Sequence, residues 1–232
     1  MKLAILETGA PPGRLKERFG DYPAMFRRLL GEGAYDYATY DVAAGALPGD
    51  PLDHEAYLIT GSPAGVYDPL PWIGELERFL VAAKGRAALV GVCFGHQIMA
   101  QAFGGRVAKA PAGWGVGLHQ YRVRGREPWM DEVAAIRAAA SHQDQVLALA
   151  PGARVLAASD FSPFGMLAYE GQRAISIQLH PEFEPDYAKA LIESRRGARL
   201  TDEEVRRGLS SYDAPDDRAR LGGWIRDFLA TG

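Results

Sequence analysis

Apolar positions follow two periods along the chain. Short, nearly unbroken runs, KLAILE at 2–7, YDYATYDV at 35–42, AYLIT at 56–60 and AALVGV at 87–92, read as strands, most of them apolar enough to be covered on both faces. Between them the spacing changes to three or four. Met25, Phe26, Leu29 and Leu30 line one side of a helix that starts at Asp21 and Tyr22, with Pro23 in its first turn, and Gly31 and Gly33 end it. Trp72, Leu76, Phe79, Leu80 and Ala83 form a second such face in PWIGELERFLVAAKG. Strands alternating with helices predict an α/β fold: an open, mostly parallel sheet with helices on both faces.

From Arg106 the pattern shifts. VAKA, LHQYRV, the run ending in SHQDQV, ARVLAA, FGMLAYEG and QRAISIQLH are short strands separated by turn residues, which predicts a small antiparallel annex. The last stretch is helical again: Thr201 and Glu204 form a capping box, and Leu221, Trp224, Ile225, Phe228 and Leu229 make an apolar stripe that must dock on the body. With no internal repeat and no long linker, one domain over 1–232 is expected, with a body of about 1–184 and a helical extension of about 185–232.

Composition removes several classes of function. Apolar residues make up 47% and charged residues 24%, which excludes a disordered or low-complexity chain. The net charge of −3 gives no electrostatic reason to expect a nucleic acid or an anionic membrane as partner. The apolar run at the N-terminus is too short for a signal peptide and is interrupted by Glu7, and no stretch approaches the roughly 18 residues of a membrane span. One cysteine, Cys93, cannot form an intrachain disulfide, so a reducing, cytoplasmic setting is expected.

Cys93 is also where the chemistry concentrates. GVCFGHQ at 91–97 lies between the strand AALVGV and the helical HQIMAQAF, so glycines flank a nucleophile two residues away on either side, as in the strand–turn–helix elbow of hydrolases. Gly91 and Gly95 would give the close approach such a turn needs, and the helix N-terminus would favour a thiolate. A lone cysteine in an apolar stretch is more often a small buried hydrophobe. The elbow reverses that preference, and a base is then required. Of five histidines, His180 ends an apolar strand, where α/β sheets gather their reactive groups, and Glu182 follows closely enough to orient it. His54 is expected in solvent and His119 in a structural role, while His96 would support the elbow. The TGSPAG turn at 60–65 ends a strand, so the Gly61 and Ser62 peptides, with the Phe94 N–H, are candidates for an oxyanion hole.

GVCFGHQ together with HPE at 180–182 resembles the class I (triad) glutamine amidotransferases, most of all the glutaminase domain of GMP synthase and its stand-alone relatives. The resemblance runs from KLAILE to HPEF and implies a flavodoxin-like fold with no metal and no cofactor. It implies that Cys93 attacks the γ-carboxamide of glutamine, forms a γ-glutamyl thioester and releases ammonia. It implies further that Pro63 and Gln97 contact substrate, and that Gln143 or Asp144 in SHQDQV meets its amino-acid end. The chain departs from that pattern in two ways. It has no glycine-rich nucleotide loop, so ammonia would pass to a synthetase partner or be released, and the extension after Glu184 is expected to cover the surface where a partner would dock elsewhere in the family. A γ-glutamyl peptidase acting on γ-glutamyl amides such as glutathione conjugates would use the same thioester. Glutamine hydrolysis is the preferred reading. A non-catalytic module would not need all three side chains, and a second cysteine family, whose elbow cysteine is followed at once by histidine, fits less well because Phe94 follows here.

Overall fold

The computed structural model describes residues 1–231. The path begins with β1 (Lys2–Glu7), α1 (Gly13–Phe19), α2 (Tyr22–Leu30), β2 (Asp36–Asp41), β3 (Ala56–Ile59), α3 (Pro71–Ala83), β4 (Ala88–Val92) and α4 (Phe94–Ala102). It continues through β5 (Arg106–Lys109), β6 (Gly115–Val123), β7 (Ala135–His142), β8 (Asp144–Ala148), β9 (Ala153–Ala158), β10 (Met166–Tyr169) and β11 (Ala174–Ile177). Three helices follow: α5 (Pro185–Ser194), α6 (Asp202–Ser210) and α7 (Arg218–Ala230).

Nine strands form one sheet in the order β2-β1-β3-β4-β11-β10-β9-β6-β7. The first five are parallel and reproduce the doubly wound 2-1-3-4-5 order, with β11 as fifth strand. Alternation along β1 explains the layers. Leu3 and Ile5 face a core filled from α2 by Phe26 and Leu30 and from α7 by Leu221, Trp224, Ile225, Phe228 and Leu229. Ala4 and Leu6 face the other core, filled from α3 by Leu76 and Leu80 and from α4 by Phe94, Ile98 and Met99. Helices therefore cover both faces, and the C-terminal stripe docks as its spacing requires. The Thr201 and Glu204 capping box is formed in full.

The expected antiparallel annex is present in two parts. Strands β10, β9, β6 and β7 continue the main sheet, and only β5 and β8 stand apart as a two-stranded pair. QRAISIQLH belongs to the parallel region: β11 runs parallel to β4 and antiparallel to β10, so it joins the two halves. An apolar run encodes burial on both faces, not direction. SHQDQV divides at Gln143, with β7 ending at His142 in the main sheet and β8 starting at Asp144 in the small one. Helix α1 has no buried residue, so no apolar period announced it.

The tightest packing lies where β4 turns into α4. A Cβ on Gly91 would run into the Gly95 carbonyl and, at 2.6 Å, the Met99 sulfur, while one on Gly95 would strike the Ile59 carbonyl of β3. Gly95→Ala should therefore destabilise the protein by at least about 2 kcal/mol, since backbone cannot yield as a flexible side chain does. For a chain of this size that lowers Tm by about 4–8 °C. Gly33→Ala, with nothing within 4 Å of the new methyl, should change stability by less than about 0.5 kcal/mol. Thermal unfolding of the two variants side by side checks both values.

Candidate active site

Strands β3, β4 and β11 are neighbours in the sheet, and the carboxyl ends of all three open on one crevice. Cys93 caps α4 with φ 54° and ψ −101°, and it is the one non-glycine residue with positive φ among the described residues. Such a backbone costs about 1–3 kcal/mol and persists only where the surroundings impose it. Here Cys93 N–H donates to the Ile177 carbonyl at 2.8 Å, and Gly95 N–H donates to the Thr60 carbonyl at 3.1 Å. The elbow is thus pinned to β11 on one side and to the end of β3 on the other.

His180 lies three residues beyond β11. Its backbone N–H donates to the Ala139 carbonyl at 2.8 Å, and its Nδ1–H donates to Glu182 Oε1 at 2.7 Å, both side chains being buried. The imidazole lies flat on the Phe183 ring, centroids 4.0 Å apart and planes 8° apart. Its opposite flank is Gly61, where a methyl would come within 3.0 Å of His180 Cε1 and 3.7 Å of Cys93 Cβ. With Nδ1 committed to Glu182, the nitrogen left for Cys93 is Nε2. Burial disfavours the imidazolium, but the Cys93 thiolate and the Glu182 carboxylate outweigh it, and the His180 pKa is pushed up to about 10.

The Gly61 loop is fixed from below, where Thr8 Oγ1 donates to the Thr60 and Gly61 carbonyls at 3.0 and 3.2 Å. Gly61 lies close to Cys93, since a methyl on it would come within 3.7 Å of Cys93 Cβ. Phe94 is the first residue of α4, so its N–H has no acceptor within the helix. Its side chain is buried against Trp72.

Two cavities meet at Cys93, and Ser62, Pro63 and Arg195 border both. The larger, of 540 Å³, is polar and is walled by Gln97, Lys109, His142, Gln143 and Asp144. Gln97 donates from Nε2 to the Asp144 carbonyl at 2.8 Å and to Gln178 at 3.2 Å, which ties this wall to α4. Tyr67 donates to Asp144 Oδ2 at 2.9 Å, and burial raises the Asp144 carboxyl pKa all the same. The smaller cavity, of 400 Å³, lies on the His180 side and is walled by Tyr22, Phe183 and Leu191. Eight of the ten candidate site residues line these two cavities, while Glu182 and Phe94 are buried next to His180 and Cys93. His142 Nδ1–H donates to the Asp144 carbonyl at 3.0 Å, and burial pushes its pKa down to about 3, so it stays neutral.

The remaining histidines are elsewhere. His96 is wholly buried, 2.8 Å from Ser176, beneath the elbow. His119 packs on Phe161. His54, expected in solvent, is 3.0 Å from the Tyr40 hydroxyl and lies between the Tyr40 and Tyr57 rings. Sequence reasoning missed Phe183, Trp114, Arg195 and Arg199. Phe183 could have been found, because it follows HPE directly. Among the described residues no His, Cys, Asp and Glu side chains group as a metal site, and no helix is long and apolar enough to cross a membrane.

Comparison with known proteins bears on the family and the fold. The family model described as glutamine amidotransferase class-I matches residues 45–195. A glutamine amidotransferase-like protein of Schizosaccharomyces pombe is 29% identical over 98% of each chain. Gamma-glutamyl peptidase 3 of Arabidopsis thaliana is 27% identical over 82% of this chain and 80% of its own length. The glutamine-hydrolysing GMP synthase of Thermus thermophilus is 31% identical over 70% of this chain but only 32% of its own. In structure, a glutamine amidotransferase from Thermotoga maritima superposes with a TM-score of 0.75 at 17% identity, covering 98% of this chain and 96% of its own.

Gly61 offers a test of the geometry. Gly61→Ala should leave the fold intact, because the new methyl meets the edge of one imidazole and not a backbone atom. It should displace His180 by a few tenths of an ångström or more and reduce turnover about 10- to 100-fold. Steady-state kinetics alongside circular dichroism will check it, and turnover equal to the parent protein would contradict the packing.

Proposed function

The chain belongs to the class I glutamine amidotransferase family, and we propose that it hydrolyses the γ-carboxamide of glutamine or of a related γ-glutamyl amide through a thioester on Cys93. The observation that carries this reading is a strained elbow cysteine beside a buried His180–Glu182 pair. His180 takes the Cys93 proton, and the thiolate attacks the γ-carbonyl carbon. The developing oxyanion is stabilised by the Phe94 N–H and the N–H groups of Gly61 or Ser62 as candidate donors. As the tetrahedral intermediate collapses, the C–N bond breaks and His180 gives its proton to the departing nitrogen. Water, deprotonated by His180, then cleaves the thioester and releases glutamate. Glu182 keeps Nδ1 protonated and Nε2 toward the thiol.

The polar cavity suits the amino-acid end of the substrate. Asp144 supplies a carboxylate for the α-ammonium, Lys109 a cation for the α-carboxylate, and Gln97, Gln143 and Pro63 shape the floor between them and Cys93. No cofactor takes part in these steps, and a nucleophile that must stay reduced suits the cytoplasm. A second reading, in which the ammonia passes to a synthetase partner, is supported by the likeness to GMP synthase. A partner that accelerates glutamine hydrolysis by the purified chain would favour it.

Cys93→Ala should lose at least about 10³-fold in glutamate release while remaining folded, because only binding and the oxyanion donors are left. His180→Ala should be nearly as severe, and the double variant no worse than either single one. Glu182→Gln should cost less, on the order of 10- to 100-fold. An electrophilic glutamine analogue should add its mass to Cys93 in the parent protein. Measurable hydrolysis by folded Cys93→Ala would refute the assignment.

A further inference from the structure

The two cavities differ in a way that bears on the leaving group. In acyl transfer the proton donor must stand beside the departing nitrogen, and His180 borders only the smaller cavity. The γ-glutamyl half therefore occupies the polar side, and whatever is attached to the γ-nitrogen projects into the 400 Å³ space. Ammonia is about the size of water, whose share of liquid volume is roughly 30 Å³. The space is far larger than glutamine requires. Its walls are the Tyr22 and Phe183 rings and the Leu191 side chain, with Ala10 and Pro12 closing the outer side.

The rim that this cavity shares with the larger one carries two cations. Arg195 follows the last residue of α5, and Arg199 lies one turn beyond it. Their guanidinium groups sit 5.2 and 6.0 Å from the centroid of the Trp114 ring, and Arg195 Nη1 donates to Ser141 Oγ at 2.6 Å. Among the described residues neither has a carboxylate within 4.0 Å, although Arg196, between them in sequence, is paired with Glu193 and Asp202. Burial and the nearby Arg199 charge both weaken the hold of Arg195 on its proton. Two like charges held on one aromatic face are relieved by an anion, and the fork of a guanidinium matches a carboxylate.

We infer that the site is built for γ-glutamyl amides of apolar amino acids, the leaving amine placing its side chain among Tyr22, Phe183 and Leu191 and its carboxylate on Arg195 and Arg199. This rests on the thioester reading above. The balance is that of hydrolysis: the thiolate forms an S–C bond as the C–N bond breaks, His180 protonates the amine, and water cleaves the S–C bond. The products are glutamate and the free amino acid.

The full chain should be assayed for glutamate release from glutamine, γ-glutamylglycine, γ-glutamylphenylalanine and γ-glutamylphenethylamide. The last keeps the ring and lacks the carboxylate. The expected kcat/KM for γ-glutamylphenylalanine exceeds that for γ-glutamylglycine by about tenfold or more, from the filled apolar pocket. It exceeds that for the phenethylamide by a similar factor, from the carboxylate. Arg199→Gln, on the surface and tolerant of change, should bring the phenylalanine and phenethylamide values together. Glutamine equal to or better than γ-glutamylphenylalanine, with all turnover dependent on Cys93, would overturn this inference and leave the thioester reading standing. An equal loss on glutamine and on γ-glutamylphenylalanine in Arg199→Gln would also overturn it, placing the cation on the α-carboxylate. Release from none of the four, with no label on Cys93, would refute the thioester reading itself.

Discussion

The site depends on one steric constraint, the absence of side chains where α4 crosses β3 and folds back on β4. With Gly91 and Gly95 the helix lies close enough for the Gly95 N–H to reach the Thr60 carbonyl, and Cys93 between the two glycines takes a backbone with positive φ. The strain of about 1–3 kcal/mol is offset by the buried core that α4 shares with β3 and β4. Cys93 is thus positioned by packing behind it and not by contacts in front. A nucleophile held from behind keeps its front face free for substrate.

His180 is positioned on a different principle. A buried His–Glu pair is costly to desolvate and offers weak stability by itself. What it provides is direction. Glu182 fixes one ring nitrogen, Gly61 and Phe183 confine the ring plane, and the Tyr22, Phe183 and Tyr187 rings form the wall behind it. The favourable edge and face contacts of those rings, about 0.5–1.5 kcal/mol each, help to carry the desolvation cost. Phe183 therefore serves twice, as the bed of the imidazole and as a wall of the smaller cavity.

What could be read from the sequence was what is encoded locally. GVCFGHQ and HPE each place their functional groups within a few residues, so spacing alone reports the geometry, and the Thr201 and Glu204 box did the same for a helix start. The strand and helix periods reported which residues are buried, and hence the two layers of helices. Direction was another matter, because β11 carries the same pattern whether it runs with β4 or against it. Trp114, Ser141 and Arg195 come from three separated segments, and nothing in any one of them signals the others.

Arg195 also assigns a role to the helical extension. An arginine at the end of α5 reaches the crevice because Tyr187, Ala188 and Leu191 pack on Tyr22, Met25 and Phe183, which holds the helix end above Cys93. Four residues earlier the chain is part of the core, and four residues later it carries Arg199 to the rim. The segment after HPE thus closes the site from above. It brings two guanidinium groups beside the hydroxyl of Ser141 and the face of Trp114. A neutral leaving group such as ammonia makes no use of that charge. An amino acid leaving through the same opening carries a carboxylate that does, and this difference in charge is what the inferred substrate class rests on.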